Sequence, residues 1–156
     1  MEDLALVAVI AVALVFDFVN GFHDAANSIA TVVSTGVLKP QQAVLFAAFF
    51  NVVAIFIFQL KVAATIGKGV VDPSVVDHYV ICGALIGAIS WNVITWYYGI
   101  PSSSSHALIG GMIGAAMAKA GTEPLLAPGI IKVSVFIVAA PMLGVLFGAM
   151  WKIAVS

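Results

Sequence analysis

The chain has 156 residues, of which 63% are apolar and 8% charged, with a net charge of −1. Ordinary globular domains carry roughly 45–50% apolar and about 25% charged residues, and a soluble domain of this length cannot bury so much apolar surface. Six lysines and no arginine leave no basic footprint for nucleic acid, the hydropathy excludes disorder, and a lone Cys82 excludes a disulfide framework.

With a mean hydropathy of +1.18, the chain reads as an all-α integral membrane protein, a single membrane domain over 1–156. Met1-Glu2-Asp3 is acidic where a cleaved signal peptide is basic, so the first segment is expected to be retained in the membrane. Five hydrophobic helical segments follow in chain order, judged against the 20 or so residues needed to cross the hydrocarbon. The first runs from Leu4 to about Val33, interrupted by polar residues from Asp17 to Asp24. The second covers Ala43–Leu60 after Lys39-Pro40, and the third covers Tyr79–Tyr98. Trp91, Trp96, Tyr97 and Tyr98 close that third segment in the manner of an interfacial aromatic belt. The fourth, Ala107–Ala120, is short for a span and reads as a half-helix or a re-entrant arm. The fifth runs from about Ile130 to Val155 with Pro141 inside it. The pairs Gly83/Gly87, Gly110/Gly114 and Gly144/Gly148, each at a spacing of four, predict close helix packing. Glu2 and Asp3 at one end of the first segment, Lys39 beyond the other, and two Lys with two Asp between Lys61 and Asp77 favour an outside N-terminus.

Two polar clusters break the apolar pattern. On a helix, Asp17, Asn20, Asp24, Asn27, Thr31 and Ser34 form one stripe at spacings of three and four. A carboxylate at the bilayer centre costs at least about 2.5 kcal/mol, so Asp17 and Asp24 need cations, protons or a wet cavity. For Asn20, Thr31 and Ser34 the stripe reads equally well as interhelical hydrogen bonding. Gly21 is expected to let the backbone open here and offer carbonyls and amides to ions. His23, one position off the stripe, reads either as a proton-handling group or as a packed histidine. The second cluster, Pro101-Ser-Ser-Ser-Ser-His106, directly precedes the short segment. Hydroxyls and unpaired amides at a helix N-terminus form an anion site; taken alone, the run reads as a capping loop. Two such interruptions in one apolar chain together point to a transporter's binding centre.

Gly21-Phe-His-Asp-Ala-Ala-Asn27 followed by Ala30-Thr31, and Trp91-Asn-Val-Ile-Thr-Trp-Tyr-Tyr-Gly-Ile-Pro-Ser-Ser-Ser-Ser-His106, resemble in order the two signatures of the inorganic phosphate transporter (PiT) family, strongly from about Phe16 to Gly114. His23 departs from the commoner asparagine, in the manner of the bacterial low-affinity members. The resemblance implies symport of inorganic phosphate with Na⁺ or H⁺ across the plasma membrane by a multi-pass protein built from two inverted halves. It implies no resident cofactor, with a divalent metal as a companion of the transported phosphate. Carried over, Asp24 and Asn27 match the cation and phosphate signature and Ser103, Ser104 and Ser105 the phosphate hydroxyls. Asp17, His23 and Gln42 are further candidates for cation coupling, and no metal ligand is certain. Asn51 stands where many eukaryotic members carry an acid, which with His23 leans the reading towards proton coupling. One copy of the signatures is present, so the chain resembles one repeat of an inverted-repeat transporter, partnered by a second half or by another copy of itself. Two other functions compete: a structural membrane subunit without transport, and an intramembrane serine hydrolase built from Ser103 or Ser105, His106 and Asp24. The second is disfavoured, because adjacent Ser105 and His106 point apart and no G-x-S-x-G elbow is present.

Overall fold

The structure, a computed structural model, describes residues 2–58 and 69–155. The lysines at 61 and 68, and the end of the second segment at Leu60, lie outside the described residues. Among the described residues, five α-helices carry the fold: α1 (Glu2–Ser34), α2 (Pro40–Phe58), α3 (His78–Tyr97), α4 (Ser104–Ala120) and α5 (Ala127–Val155). A 3₁₀ turn, Pro73–Val75, precedes α3. In hydrocarbon every backbone amide must be satisfied within its own helix. Long runs of Ala, Val, Leu, Ile and Phe meet that demand, and α1, α2, α3 and α5 are each long and apolar enough to cross a membrane.

α1 is one continuous helix of 33 residues. The opening expected at Gly21 is absent: the residue sits in regular helix with no neighbour near the place of a side chain.

α3 and α4 form an antiparallel hairpin that is the densest part of the molecule. A Cβ at Gly83 would stand 3.2 Å from that of Ala115, a Cβ at Gly87 would stand 3.7 Å from the Cα of Gly111, and a Cβ at Gly111 would fall on the carbonyl of Ala84. The crossing residue of α4 is therefore Gly111; Gly110 and Gly114, expected to form the packing pair, have nothing within 4 Å, nor do Gly144 and Gly148. A spacing of four identifies one face of a helix but not which of two adjacent glycine rows meets the neighbour.

α1 packs alongside the hairpin, parallel to α3. Phe16 shares an apolar cluster with Leu85 and Ala88, and His23 meets Thr95, seven residues further along both helices. Carried on in this register, Tyr97 at the end of α3 is level with Ala25, nine residues before the Ser34 end of α1. At 1.5 Å per residue the tip of the hairpin stops about 14 Å short of that end. α4 is thus the returning arm of a hairpin whose tip stops short of the end of α1. The aromatic residues expected as an interfacial belt lie at this tip. Trp96 packs on Phe22 of α1, with ring centroids 5.0 Å apart, and Trp91 Nε1 donates to Ser102 Oγ at 2.9 Å. Gly99, in the left-handed region at φ 65°, ends α3 and turns the chain towards Pro101.

At the base of the hairpin, Asp77 caps α3 by accepting from the Val80 amide at 3.0 Å, and Lys119 Nζ donates to Asp77 Oδ2 at 2.6 Å. α5 returns along α4, with Ile130 beside Ile113 and Ile137 beside His106 in a shared groove.

Candidate functional site

The two polar clusters meet at the hairpin tip. Ser103 caps α4, its Oγ accepting from the His106 amide at 3.4 Å. The next residue, Ser104, is buried at 1% exposure and donates to Asp24 Oδ1 at 3.4 Å. That contact joins residues 80 positions apart and brings a carboxylate of α1 to the N-terminus of α4, where the helix dipole is positive and amides are unpaired.

Asp24 also meets its neighbour. His23 Nδ1 lies 3.4 Å from Asp24 Oδ1, and the other ring nitrogen, Nε2, lies 3.3 Å from Thr95 Oγ1. The Thr95 hydroxyl also reaches the Trp91 carbonyl, at 2.8 Å. The imidazole thus bridges a carboxylate on one side and a hydroxyl on the other, and its tautomer sets the direction of each bond: a proton on Nδ1 is donated to Asp24, one on Nε2 to Thr95. His23 is 5% exposed whereas the Asp24 side chain is 49% exposed, so the pair joins the packed interior to the open face of α1.

The other sequence candidates are placed differently. Asp17 lies seven residues before Asp24, about 10 Å along the axis, and is exposed. Asn27 is exposed one turn beyond Asp24. Ser34 returns its hydroxyl to the Thr31 carbonyl at 3.1 Å, a local bond that serves the helix itself. Ser105 is exposed on the first turn of α4. Gln42 is not brought to Asp24: it stands at the start of α2, where its Oε1 accepts from the Lys39 amide at 3.3 Å. Asn51 lines a cavity of about 370 Å³ between α1 and α2 with Ser28, Val32 and Phe46. A hydrolase triad is not assembled, because His106 is exposed and the imidazole beside Asp24 faces Thr95 in place of a serine.

Two residues here escape sequence reasoning. Thr95 and Asn92 are both buried, at 1% and 0% exposure, on the face of α3 turned to α1 and α4. Their signal was two polar residues three apart inside an apolar helix, hidden by the aromatic residues around them. The oxygens brought together at the tip are those of the Asp24 carboxylate and the Ser104 hydroxyl, oxygens of the kind that hard cations accept.

The chain is similar to known proteins in sequence and in fold. Residues 20–156 match the model of the phosphate transporter family. The chain is 55% identical over 97% of its length to a probable low-affinity inorganic phosphate transporter of Rhizobium meliloti, of which it covers 45%. It is 36% identical over 92% of its length to the low-affinity inorganic phosphate transporter of Escherichia coli, covering 31% of that protein. In three dimensions it resembles a sodium-dependent phosphate transporter with a TM-score of 0.82 and 30% identity, covering 94% of this chain and 39% of that one. The chain thus spans less than half the length of these relatives. By the family model, the relatives and the helical membrane fold alike, this chain is a member of the phosphate transporter family.

Proposed function

We propose that the chain is one repeat of a symporter that carries inorganic phosphate across the plasma membrane with protons, its N-terminus outside. Asp24 and His23 take the coupling proton. Ser104, Ser105, Asn27 and the first amides of α4 take phosphate, with no resident cofactor. The observation that carries this reading is the Ser104–Asp24 contact, which sets an anion-binding helix start against a group able to lose its negative charge. An arginine-free site binds phosphate best when the nearby carboxylate is neutralised, and that requirement couples the two ligands. In this reading α1, α2 and α5 cross and the hairpin returns to its own side, an odd number of crossings. A second unit following it would therefore be inverted, and the substrate would sit between the two.

A second reading, Na⁺ coupling at Asp24 and Asn27, is favoured by the likeness to a sodium-dependent transporter. Phosphate uptake into proteoliposomes, driven separately by pH and Na⁺ gradients, separates the two. Uptake that follows only the Na⁺ gradient would replace the proton reading, and a response to neither would favour a structural subunit. The chain reconstituted alone is expected to insert without transporting, and to gain uptake when its inverted counterpart is supplied.

A further inference from the structure

Both polar atoms of the Asn92 carboxamide, Oδ1 and Nδ2, are buried without a hydrogen-bond partner among the described residues, and the residue is 0% exposed. Buried polar groups in folded proteins are otherwise almost always paired. The register that sets Phe16 in the Leu85–Ala88 cluster and His23 against Thr95 sets Asn20, half-buried on the same face of α1, level with Asn92. Asn92 therefore lies one turn before the His23–Thr95 contact on α3, with the apolar Phe16–Ala88 layer one turn further back.

Three occupants could satisfy this carboxamide, and its chemistry separates them. Phosphate needs an opening from outside, whereas Asn92 is enclosed by this chain's own helices at 0% exposure. A cation would use Oδ1 and leave both Nδ2 protons unpaired. Water donates to Oδ1 and accepts from Nδ2, and a buried water settles where two to four polar groups converge. Asn92, Asn20 and the remaining lone pair of Thr95 Oγ1 supply that number. We propose that Asn92 is the floor of a buried hydration site, holding ordered water beneath the His23–Thr95 contact and so fixing the imidazole against Asp24. Asn92 is a positioning residue in this scheme. Only its consequence for coupling rests on the reading of His23 and Asp24 given above; the water itself does not.

Radiolytic hydroxyl-radical labelling of the full chain in lipid nanodiscs tests the site, since radicals born from bound water oxidise the side chains beside it. His23 is expected to be labelled although buried, while Phe16, comparably buried among apolar groups, is not. Asn92→Leu is expected to abolish His23 labelling and Asn92→Ser, which keeps a hydroxyl and leaves more room, to retain it. Should Asn92→Leu fail to fold, Asn20→Leu removes the opposite wall and is expected to reduce the same label. Absence of His23 labelling in the wild type, or its persistence in both leucine variants, would overturn the site. So would a rise in Tm in Asn92→Leu, the mark of a dry orphan, and suppression of the label by Na⁺ would assign the space to a cation. None of these readouts requires transport, so the hydration site can fail while the phosphate reading stands, or the reverse.

Discussion

The two ends of the α3–α4 hairpin are made from the same pair of helices and treat charge in opposite ways. At the base, Asp77 caps α3 while receiving the Lys119 ammonium, and Lys119 also donates to the Val75 carbonyl at 3.0 Å. Each charge there has a fixed opposite partner. At the tip, among the described residues, Asp24 meets only the Ser104 hydroxyl and a histidine nitrogen, both at 3.4 Å, and the Asn92 carboxamide is unpaired. A paired carboxylate holds a fold together, whereas an under-paired one at membrane depth is costly until a mobile ligand completes it. The base is an anchor; on the reading proposed above, the tip is a receptor.

The comparison breaks most completely if the two arms are forced apart. Gly111→Ala places a methyl group on the Ala84 carbonyl. Overpacking ordinarily costs about 1–3 kcal/mol, and here the obstacle is backbone, so little folded protein should survive size-exclusion chromatography. A native yield would show that the close crossing does not hold the hairpin. Asp24→Asn, by contrast, should leave insertion and Tm intact, because a neutral amide is cheaper to bury, while coupled phosphate uptake falls to background. Uptake at the wild-type rate would remove Asp24 from the site.

Ser104→Ala sharpens the description of the tip. A hydrogen bond to a charged acceptor is worth roughly 1.5–3 kcal/mol, so apparent phosphate affinity should fall about tenfold or more, as read by uptake titration. An unchanged affinity would return the serine run to a capping role. The smallest effect is expected at the base. The hydrogen bond from Lys119 holds the Asp77 carboxyl below the ordinary carboxylate range. Its contribution is therefore present at neutral pH and is lost as pH falls through that lowered value. Asp77→Asn keeps a capping side chain and should lower Tm slightly at neutral pH while flattening its fall in acid. Phosphate affinity should not change, and a change would mean that the two ends are coupled.

Much of the site was legible because helical spacing and residue type are local properties. The stripe from Asp17 to Ser34 is a true helical face, and the serine run does begin a helix. What spacing lacks is the neighbour. His23 stands one position off the stripe, yet it is the residue turned inward, because the hairpin covers that flank of α1 and leaves Asp17 and Asn27 on the open flank. Composition likewise reports that Trp and Tyr end a helix, but not that Trp96 packs on Phe22 of α1, a contact set by the register of α3 on α1. Of the two glycine rows on α4, the crossing with Ala84 alone decides which is packed.

The hairpin's stopping point also gives the site an electrical position. Asp24 stands ten residues from the Ser34 end of an α1 that is 33 residues long, about a third of the way in from the Lys39 side. A full transmembrane field is worth about 2.3 kcal/mol per charge per 100 mV. On the reading proposed above, a cation arriving at Asp24 from the nearer, Lys39 side crosses the smaller share of that field, and one arriving from the other side the larger. Membrane voltage would therefore weight the two approaches unequally, drawing a positive charge in through one and resisting its entry through the other.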